Sequence, residues 1–319
     1  MSGRKKKYRD GMRFRNIHVI VNPVSGQLPV DIDMLRSKLE ASESAFRIVL
    51  TEPDTGPEIL ARRAVEEGAD LVMAAGGDGT VLGAAEGLIG TGVPLGVIPE
   101  GTANVFAAEL GIPYDSGAAL DLVLGDECDV RPVDVGSVAG KHFLLRVGIG
   151  LEASMTVETD PGLKKRLGVL AYLWTAFDLG RRSNPILYEL ELDGRKKWVK
   201  GVTCVICNSG NVGVPGVKLM PEIDPSDGYL NVIVVEQGTF RAVGSLVYHA
   251  LLSVFPGKKE WGERRHFTLY TCTAREVSVK PHPAQIAARD GEVIESGFPL
   301  TVTLEPKALL VAAPAGKGV

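Results

Sequence analysis

The stretch DLVMAAGGDGTVL, residues 70–82, places an apolar run directly before the glycine-rich pentapeptide GGDGT at 76–80. Glycine has no Cβ atom, so phosphate groups can approach its backbone, and a helix that follows adds unpaired N–H groups and the positive end of its dipole. The stretch therefore predicts a strand, a phosphate-binding loop and a helix, in that order. A carboxylate among phosphates is unfavourable unless a cation such as Mg²⁺ bridges them or the carboxylate handles a proton, so Asp78 indicates phosphoryl transfer.

Regular alternation of strand and helix patterns surrounds this stretch. Strands separated by helices form right-handed βαβ units, so residues 14–130 predict a parallel, doubly wound α/β domain with helices on both faces of the sheet. The strands are predicted at 17–22, 46–51, 70–75 and 94–99, and the helices at 31–41, 57–67, 80–88 and 102–110.

Four loops of this domain follow the predicted strands and are rich in small and polar residues. They lie at 22–26, at Thr51, at 76–80 and at 99–104. Ligands of parallel α/β sheets bind beyond the carboxyl ends of the strands. Each loop alone is compatible with an ordinary turn, but four loops at one edge favour a cleft of nucleotide size.

The pattern changes to shorter β-rich runs after about residue 130. Such runs predict a β-rich, antiparallel, sandwich-like second domain over residues 131–305. Two helical patterns, 163–179 and 240–254, interrupt it. The strand-like runs are 132–137, 141–147, 186–192, 197–207, 229–235, 268–273, 276–280 and 300–304.

Composition and charge restrict the class of protein. The 319 residues have a net charge of −4, which does not indicate a nucleic-acid-binding surface. The four cysteines predict reduced, buried thiols, and Cys204 and Cys207 are expected to face opposite sides of a strand because side chains alternate along strands. No apolar window reaches the roughly 18–20 residues of a spanning helix, and no signal peptide is visible, so a cytoplasmic protein is predicted.

Two basic features leave contact with a membrane open. Residues 1–15 contain seven Lys and Arg residues against Asp10, and the predicted disordered arm at 1–13 either favours an anionic membrane surface or is a solvated tail. The helical pattern at 163–179 has an apolar face with basic residues at both ends, which suits either shallow membrane insertion or packing on the second domain. Peripheral contact with the inner membrane face therefore stays one of two interpretations.

Two familiar phosphate loops do not fit the spacing. No GxxxxGK[ST] motif occurs. The spacing of the glycines at 77, 79 and 83 is one residue longer than the GxGxxG spacing of a dinucleotide-binding loop. The sequence GIGLEA at 148–153 matches GxGxxA but lacks the acidic residue expected about 20 positions later, so Gly148 and Gly150 predict a tight turn. Asp227-Gly228 and Asp290-Gly291 are ordinary turn signals as well.

Five segments together resemble the diacylglycerol kinase catalytic family, which includes bacterial soluble lipid kinases and sphingosine kinases. They are VNPVSG at 21–26, AAGGDGT at 74–80, PLGVIPEGTAN at 94–104, Asp227-Gly228-Tyr229 and Asp290-Gly291-Glu292. The resemblance covers residues 17–312, and the full set is more specific than GGDGT, which NAD kinases share.

The resemblance implies ATP as co-substrate, Mg²⁺ as cofactor and a lipid acceptor. Glu292 would be the general base, Asp78 would act with Mg²⁺ or orient the acceptor hydroxyl, and Asp134 would belong to the same acidic network. A structural Mg²⁺ site would involve Asp224, Asp227 and Tyr229, and residues 306–319 would return a strand to the first domain. The nucleotide would lie near Asn22, Ser25, Gly26, Thr51, Gly76, Gly77, Gly79, Thr80, Gly101, Thr102 and Asn104.

Two departures from the family pattern leave the acceptor open. Val105 follows Asn104 where many relatives have aspartate, and FLLR at 143–146 places Arg146 where relatives often carry asparagine. The expected function is an ATP- and Mg²⁺-dependent lipid kinase acting on a diacylglycerol-like lipid at a membrane surface. An NAD kinase with a soluble acceptor and a non-catalytic lipid-binding protein are the alternatives, and a homodimer is left open.

Overall fold

The computed structural model describes residues 14–26, 30–150, 153, 184–214, 217–218, 220, 223–235 and 269–315. The predicted basic arm at 1–13 and the predicted helices at 163–179 and 240–254 lie outside the described residues. The chain divides into two compact units: one uses the chain up to Val133 and again from Lys307, and the other runs from Asp134 to Pro306.

The first unit is an α/β unit with a parallel sheet in the order β2-β1-β3-β4-β18. Its strands are β1 Asn16–Val21, β2 Ala45–Leu50, β3 Leu71–Gly76, β4 Leu95–Pro99, the first part of β5 Cys128–Val138 and the last part of β18 Leu300–Pro314. Its helices are α1 Ile32–Ala41, α2 Pro57–Glu66, α3 Asp78–Leu88, α4 Val105–Leu110 and α5 Ser116–Leu124.

Burial on both faces explains why the central strands of this unit read as continuous apolar runs. Every residue of β3 and β4 is buried, as expected for parallel strands with helices on either side. On one face, side chains of β1 and β3 form a core with Leu35 and Leu39 of α1 and Leu120 and Val123 of α5. The predicted doubly wound α/β class is therefore confirmed.

The second unit is an antiparallel β-sandwich. One sheet has the order β14-β13-β10-β7-β16-β17, and the other pairs the first part of β18 with β15, β8 and β9. The strands are β6 Lys141–Phe143, β7 Arg146–Gly150, β8 Ile186–Leu192, β9 Arg195–Gly201, β10 Thr203–Cys207, β11 Asn211–Val214, β12 Val217–Lys218, β13 Leu230–Val235, β14 Leu269–Ala274, β15 Glu276–His282, β16 Ala287–Arg289 and β17 Glu292–Val293.

Apolar side chains from both sheets meet in one core, which confirms the predicted sandwich. Val147, Ile206 and Val232 of the first sheet share it with Tyr188 and Val277 of the second. Cys204 belongs to this core, whereas Cys207 lies in a separate cluster on the other face of its sheet. The prediction that these two thiols face opposite sides is confirmed, and the four cysteines are free.

Several predicted element boundaries were wrong. The run 141–147 is interrupted at Leu144 and Leu145, and the run 197–207 is two strands that separate at Val202. The run 300–304 and the return strand expected within 306–319 are parts of the single strand β18. Helix α5 was not predicted, although Asp115 caps it by accepting a hydrogen bond from the Ala118 N–H at 2.7 Å.

The predicted tight turn at Gly148 and Gly150 was also wrong, because both residues lie within β7. Gly148 pairs with Val205, and Gly150 pairs with Thr203. Gly150 has a φ of +88°, and a Cβ atom there would lie 2.7 Å from the Tyr188 hydroxyl. Glycine is needed at this position for its backbone conformation and for packing.

Candidate functional site

The GGDGT pentapeptide joins β3 to α3, and the structure requires or permits glycine at its positions for different reasons. A Cβ atom on Gly76 would lie 2.5 Å from the Thr80 hydroxyl oxygen, and one on Gly101 would lie 2.5 Å from the Gly77 Cα. Gly77 and Gly101 therefore let two loops pack backbone against backbone, whereas Gly76 makes room for the Thr80 side chain. A Cβ atom on Gly79 would meet no atom of the structure within 4 Å, so open space lies beside the first turn of α3.

Asp78 holds the start of α4. It is the first residue of α3, not a loop residue as predicted, and its carboxylate accepts hydrogen bonds from the N–H groups of Val105 and Phe106 at 3.1 and 3.0 Å. These N–H groups at a helix start have no partner within the helix, so a carboxylate stabilises them. The predicted helix at 102–110 accordingly begins at Val105.

Asn104 closes its own loop. Its side-chain oxygen accepts a hydrogen bond from the Gly101 N–H at 2.8 Å, and its amide nitrogen donates to the Gly101 carbonyl at 2.9 Å. It is buried and has a φ of +48°, a left-handed conformation that asparagine tolerates better than most residues. Thr102, in the same loop, is exposed.

Asn22 connects the loop after β1 to this site. Its amide nitrogen donates to the Thr80 hydroxyl at 3.0 Å, and its side-chain oxygen accepts from the Val24 N–H at 3.2 Å. The Ser25 hydroxyl oxygen lies 3.5 Å from the position of a Cβ atom on Gly77. The structure thus brings together the predicted residues of the loops after β1, β3 and β4.

Gly26 and Thr51 are less closely tied to these loops. Gly26 is exposed, with a φ of +76°. Thr51 follows β2, and its N–H donates to the Val21 carbonyl at 2.9 Å, which fixes the backbone at the end of that strand. Both residues lie at the predicted edge of the parallel sheet, beyond the carboxyl ends of their strands.

Sequence reasoning missed Tyr114 at this site. Its hydroxyl donates to the Ala103 carbonyl at 3.5 Å, and burial together with the Asp78 charge raises the pKa of the hydroxyl. Glu100, which ends the PLGVIPE run, accepts a 2.6 Å hydrogen bond from the Ser116 hydroxyl at the start of α5. Neither contact has a signal in the sequence, because both depend on how the chain after α4 returns to the loop.

In the second unit, Asp134 organises the loop that contains Asp227. Asp134 is buried within β5; its N–H donates to the Pro225 carbonyl at 2.7 Å, and its carboxylate accepts from the Gly228 N–H at 2.7 Å. It therefore fixes the loop at two points. Asp134 lies inside the strand, within the run predicted at 132–137.

The carboxylates of Asp224 and Asp227 also support turns in this loop. Asp224 accepts hydrogen bonds from the N–H and hydroxyl of Ser226, and Asp227 accepts from the Tyr229 N–H at 2.8 Å. Burial and the charges of Asp224 and Asp134 raise the pKa of Asp227, against the opposing effect of the Tyr229 N–H. The Tyr229 ring lies under the Arg275 guanidinium, so its side chain contacts a cation already.

The fit of this loop to Mg²⁺ is partial. Among the described residues, no group of three or more His, Cys, Asp or Glu side chains is arranged to hold a metal ion. Carboxylate oxygens such as those of Asp224 and Asp227 nevertheless suit a hard cation. Backbone carbonyl groups or water would have to complete the coordination.

The Asp290-Gly291-Glu292 motif forms a hairpin turn in which the two acids have different surroundings. Asp290 and Gly291 have φ values of +43° and +88°, and they connect β16 to β17. The Asp290 carboxylate accepts hydrogen bonds from the N–H groups of Leu144, Leu145 and Arg146 at 2.7–3.2 Å. This contact interrupts the predicted strand 141–147.

Burial raises the pKa of Asp290 to about 6, against the opposing effect of its three N–H donors. Both oxygens of the carboxyl group accept these hydrogen bonds, which favour its ionised form. The Arg146 guanidinium, which the sequence placed near the site, donates to the Asn211 carbonyl at 3.0 Å.

Glu292 has an exposed side chain, and its Oε2 accepts a 2.9 Å hydrogen bond from Nη2 of Arg289. Arg289 is buried and was missed in the sequence. A signal was present, because a cation and an acid on either side of a two-residue turn face each other in a hairpin.

Two known protein families match the two units of the chain. Residues 16–138 match the family described as the diacylglycerol kinase catalytic domain, and residues 146–313 match the YegS C-terminal NAD kinase beta sandwich-like domain. An α/β unit with glycine-rich loops at strand ends, followed by this sandwich, defines the class as a two-domain kinase.

Individual proteins are similar to this chain over most of its length. An uncharacterized Synechocystis protein, sll0036, is 30% identical over 93% of this chain and 70% of its own length. A Staphylococcus aureus diacylglycerol kinase is 29% identical over 73% of this chain and 74% of its own length. A Bacillus anthracis diacylglycerol kinase structure superposes with a TM-score of 0.72 at 22% identity, covering 96% of this chain and 99% of that one. This chain belongs to the diacylglycerol kinase catalytic family and is a lipid kinase.

Proposed function

We propose that this protein transfers the γ-phosphoryl group of ATP to a hydroxyl group of a diacylglycerol-like lipid, with Mg²⁺ as cofactor. The observation that carries the proposal is the open first turn of α3. Gly79 leaves space there, and Gly77 caps the helix without a side chain. Exposed N–H groups at a helix start suit the phosphates of a nucleotide.

The loops around this turn support the same assignment. Asn22 bonds to Thr80, and the carboxylate of Asp78 bonds to the N–H groups of Val105 and Phe106. These contacts hold three strand-end loops of the first unit in fixed positions before a ligand binds. Loops held in place in this way present their N–H donors to the phosphates in a fixed arrangement. Such preorganisation is the main protein contribution to phosphoryl transfer, because there is little covalent chemistry for side chains to perform.

Glu292 is the candidate general base of the reaction. As the acceptor hydroxyl attacks, its O–H bond breaks and the proton passes to the Glu292 carboxylate. The hydroxyl oxygen forms a bond to the γ-phosphorus, the bond from that phosphorus to the bridging oxygen breaks, and ADP leaves with the electron pair. The exposed Glu292 carboxylate supports this role, whereas that of Asp290 is occupied by three N–H donors.

Mg²⁺ would be held at the loop of Asp224, Asp227 and Tyr229, with Asp134 fixing the backbone behind it. When bound, the ion would supply positive charge that stabilises negatively charged oxygens and the folded loop. The two aspartates provide oxygen donors of the kind that this ion prefers.

The test is an incubation of purified protein with γ-labelled ATP, Mg²⁺ and separate acceptors. Diacylglycerol, phosphatidylglycerol and a sphingoid base are presented in vesicles, and NAD is presented in solution. We expect label in a phosphorylated lipid. Label on NAD alone would refute the lipid acceptor, and ATP and lipid binding without any labelled product would favour a non-catalytic lipid-binding protein.

The same assay tests the general base. Glu292→Gln keeps the shape of the side chain but removes its ability to take a proton, so turnover should fall on the order of 10²-fold or more. Glu295→Gln, an exposed glutamate three residues further along the chain, is the matched control and should not change turnover. Turnover of Glu292→Gln close to that of the unmodified protein would remove Glu292 from the mechanism.

We also propose contact with a membrane surface. Among the helices that the structure describes, none has the length and apolar character needed to cross a bilayer. A lipid acceptor must nevertheless be reached at a membrane surface. Sedimentation with anionic vesicles should therefore capture the protein, and the captured fraction should fall with added salt if basic residues contribute.

A further inference from the structure

Arg289 is a buried cation directly opposite the candidate base. Its side chain is 8% exposed, whereas that of Glu292 is 64% exposed. The two residues are register partners in the β16–β17 hairpin, and Nη2 of Arg289 donates to Oε2 of Glu292 at 2.9 Å. The other arm of the guanidinium, Nη1, donates to the His142 carbonyl.

This arrangement gives the guanidinium a fixed direction. A buried arginine is unfavourable unless its charge and its N–H groups find partners. The His142 carbonyl anchors one arm of the planar group, so the second arm points along a defined line. The Asp290 carboxylate anchors the same hairpin through the N–H groups of Leu144, Leu145 and Arg146, which keeps the turn in place.

Glu292, by contrast, has little else to hold its carboxylate. Among the residues that the structure describes, only Arg289 donates a hydrogen bond to it, and that bond reaches Oε2 alone. An exposed glutamate side chain has several rotatable bonds and samples many rotamers. The ion pair restricts these rotamers and leaves Oε1 available to another donor.

We propose that Arg289 is a positioning residue that orients Glu292 for proton transfer. The inference rests on the proposed function, in which Glu292 takes the proton of the acceptor hydroxyl. Arg289 itself does not contact the reacting atoms in this scheme. It acts through the direction that it gives to the Glu292 carboxylate, and proton transfer requires the base to lie within hydrogen-bond reach of the hydroxyl.

The test compares Arg289→Met and Arg289→Lys with the unmodified chain in the labelled-lipid assay. Arg289→Met should lower kcat by about 10- to 100-fold, the scale of a misplaced catalytic group, and leave KM for ATP unchanged. Arg289→Lys keeps a cation within the hairpin and should restore most of the loss. Arg62→Met is the matched control: Arg62 pairs with Glu58 at 2.7 Å on the exposed face of α2, and its loss should not affect kcat.

A double substitution decides whether Arg289 acts through Glu292. In a Glu292→Gln background, Arg289→Met should have no further effect on kcat, because residues that act as a unit are not additive. An equal fold-loss in both backgrounds, or full kcat in a folded Arg289→Met protein, would overturn the proposal. Thermal melting checks that each variant is folded. If Arg289→Met does not fold, the Arg289→Lys variant decides: a kcat no higher than that of Glu292→Gln overturns the proposal.

Failure of the underlying function gives a different result. If the unmodified protein labels no lipid, the proposed function and this inference both fall. If Glu292→Gln keeps full turnover, the assignment of the base fails and Arg289 loses its role. If Glu292→Gln is inactive while Arg289→Met is fully active, only the positioning role is refuted.

Discussion

Gly79→Ala tests whether the open space beside α3 is the place of the nucleotide phosphates. Apart from its own helix and chain neighbours, the added Cβ atom would meet no atom of the described residues within 4 Å, so the folded structure accommodates it without strain. Gly79 lies in the first turn of α3, where alanine is the better helix former by up to about 1 kcal/mol. The variant should therefore be at least as stable as the unmodified protein.

Its nucleotide affinity should fall. If phosphate oxygens approach the backbone of Gly79, a methyl group occupies part of their space, and such overpacking costs about 1–3 kcal/mol. That free energy corresponds to a Kd for ATP about 5- to 150-fold higher. Calorimetric titration with ATP measures the affinity, and urea denaturation measures the free energy of unfolding of the same sample.

Two other glycines serve as controls. Gly297 has equally open surroundings but lies in the second unit, so Gly297→Ala should keep both stability and ATP affinity. Gly101→Ala would place a Cβ atom 2.5 Å from the Gly77 Cα and should destabilise the fold. A Gly79→Ala protein that is stable and binds ATP as tightly as the unmodified chain would refute the phosphate assignment.

Three further predictions concern carboxylates. Asp78→Asn leaves one N–H at the start of α4 without its acceptor, so it should lower the free energy of unfolding by about 1–3 kcal/mol in urea and reduce turnover; unchanged stability would contradict the capping role. Asp290→Asn should lower the free energy of unfolding by a similar amount, because an amide cannot accept hydrogen bonds from three N–H groups as the carboxylate does. Asp54→Asn, at an exposed position, is the control. The raised pKa of Asp227 means that the folded state takes up a proton at this carboxylate more readily than the unfolded state, and a proton competes with a bound cation. Thermal stabilisation by Mg²⁺ should therefore be present at neutral pH and decline as the pH is lowered. A Mg²⁺ effect that does not change on acidification would argue against the loop as the Mg²⁺ site.

The fold of the first unit could be predicted because its signals are local. The apolar runs of β3 and β4 are buried along their whole length, and each is followed by glycine or polar residues that end it. Helix α5 was missed because its local sequence lacks such a signal. Its sequence SGAALDLVL is apolar on most sides and lacks the polar face that usually identifies a helix.

The interruption of the strand at Leu144 and Leu145 could not be predicted locally. The run 141–147 is favourable for a continuous strand, and the group that interrupts it is Asp290, about 145 positions later in the chain. Similarly, the glycines of β7 predicted a turn from the sequence. The structure requires glycine at position 150 because a Cβ atom there would clash with the Tyr188 hydroxyl of another strand. Contacts between distant segments decide these positions, and a single sequence does not contain them.

Two of the five family segments share a division of roles that their sequences do not show. In GGDGT, Asp78 is bonded to backbone N–H groups of another loop, and its neighbour Gly79 faces open space. In Asp290-Gly291-Glu292, Asp290 is bonded in the same way, and Glu292 is exposed. An aspartate whose oxygens already accept N–H bonds is a poor candidate for proton transfer. The aspartate of each motif therefore anchors a loop, and Gly79 and Glu292 are the positions that we propose for contact with the substrates.

This division has a measurable consequence across the variants. Asp78→Asn and Asp290→Asn should lose activity and stability together, because both effects follow from a displaced loop. Gly79→Ala and Glu292→Gln should lose nucleotide affinity or turnover while the free energy of unfolding stays within about 0.5 kcal/mol of the original or rises. A plot of activity against stability should therefore separate the two pairs. If all four variants fell on one line, the anchoring and ligand-facing positions would not be distinct.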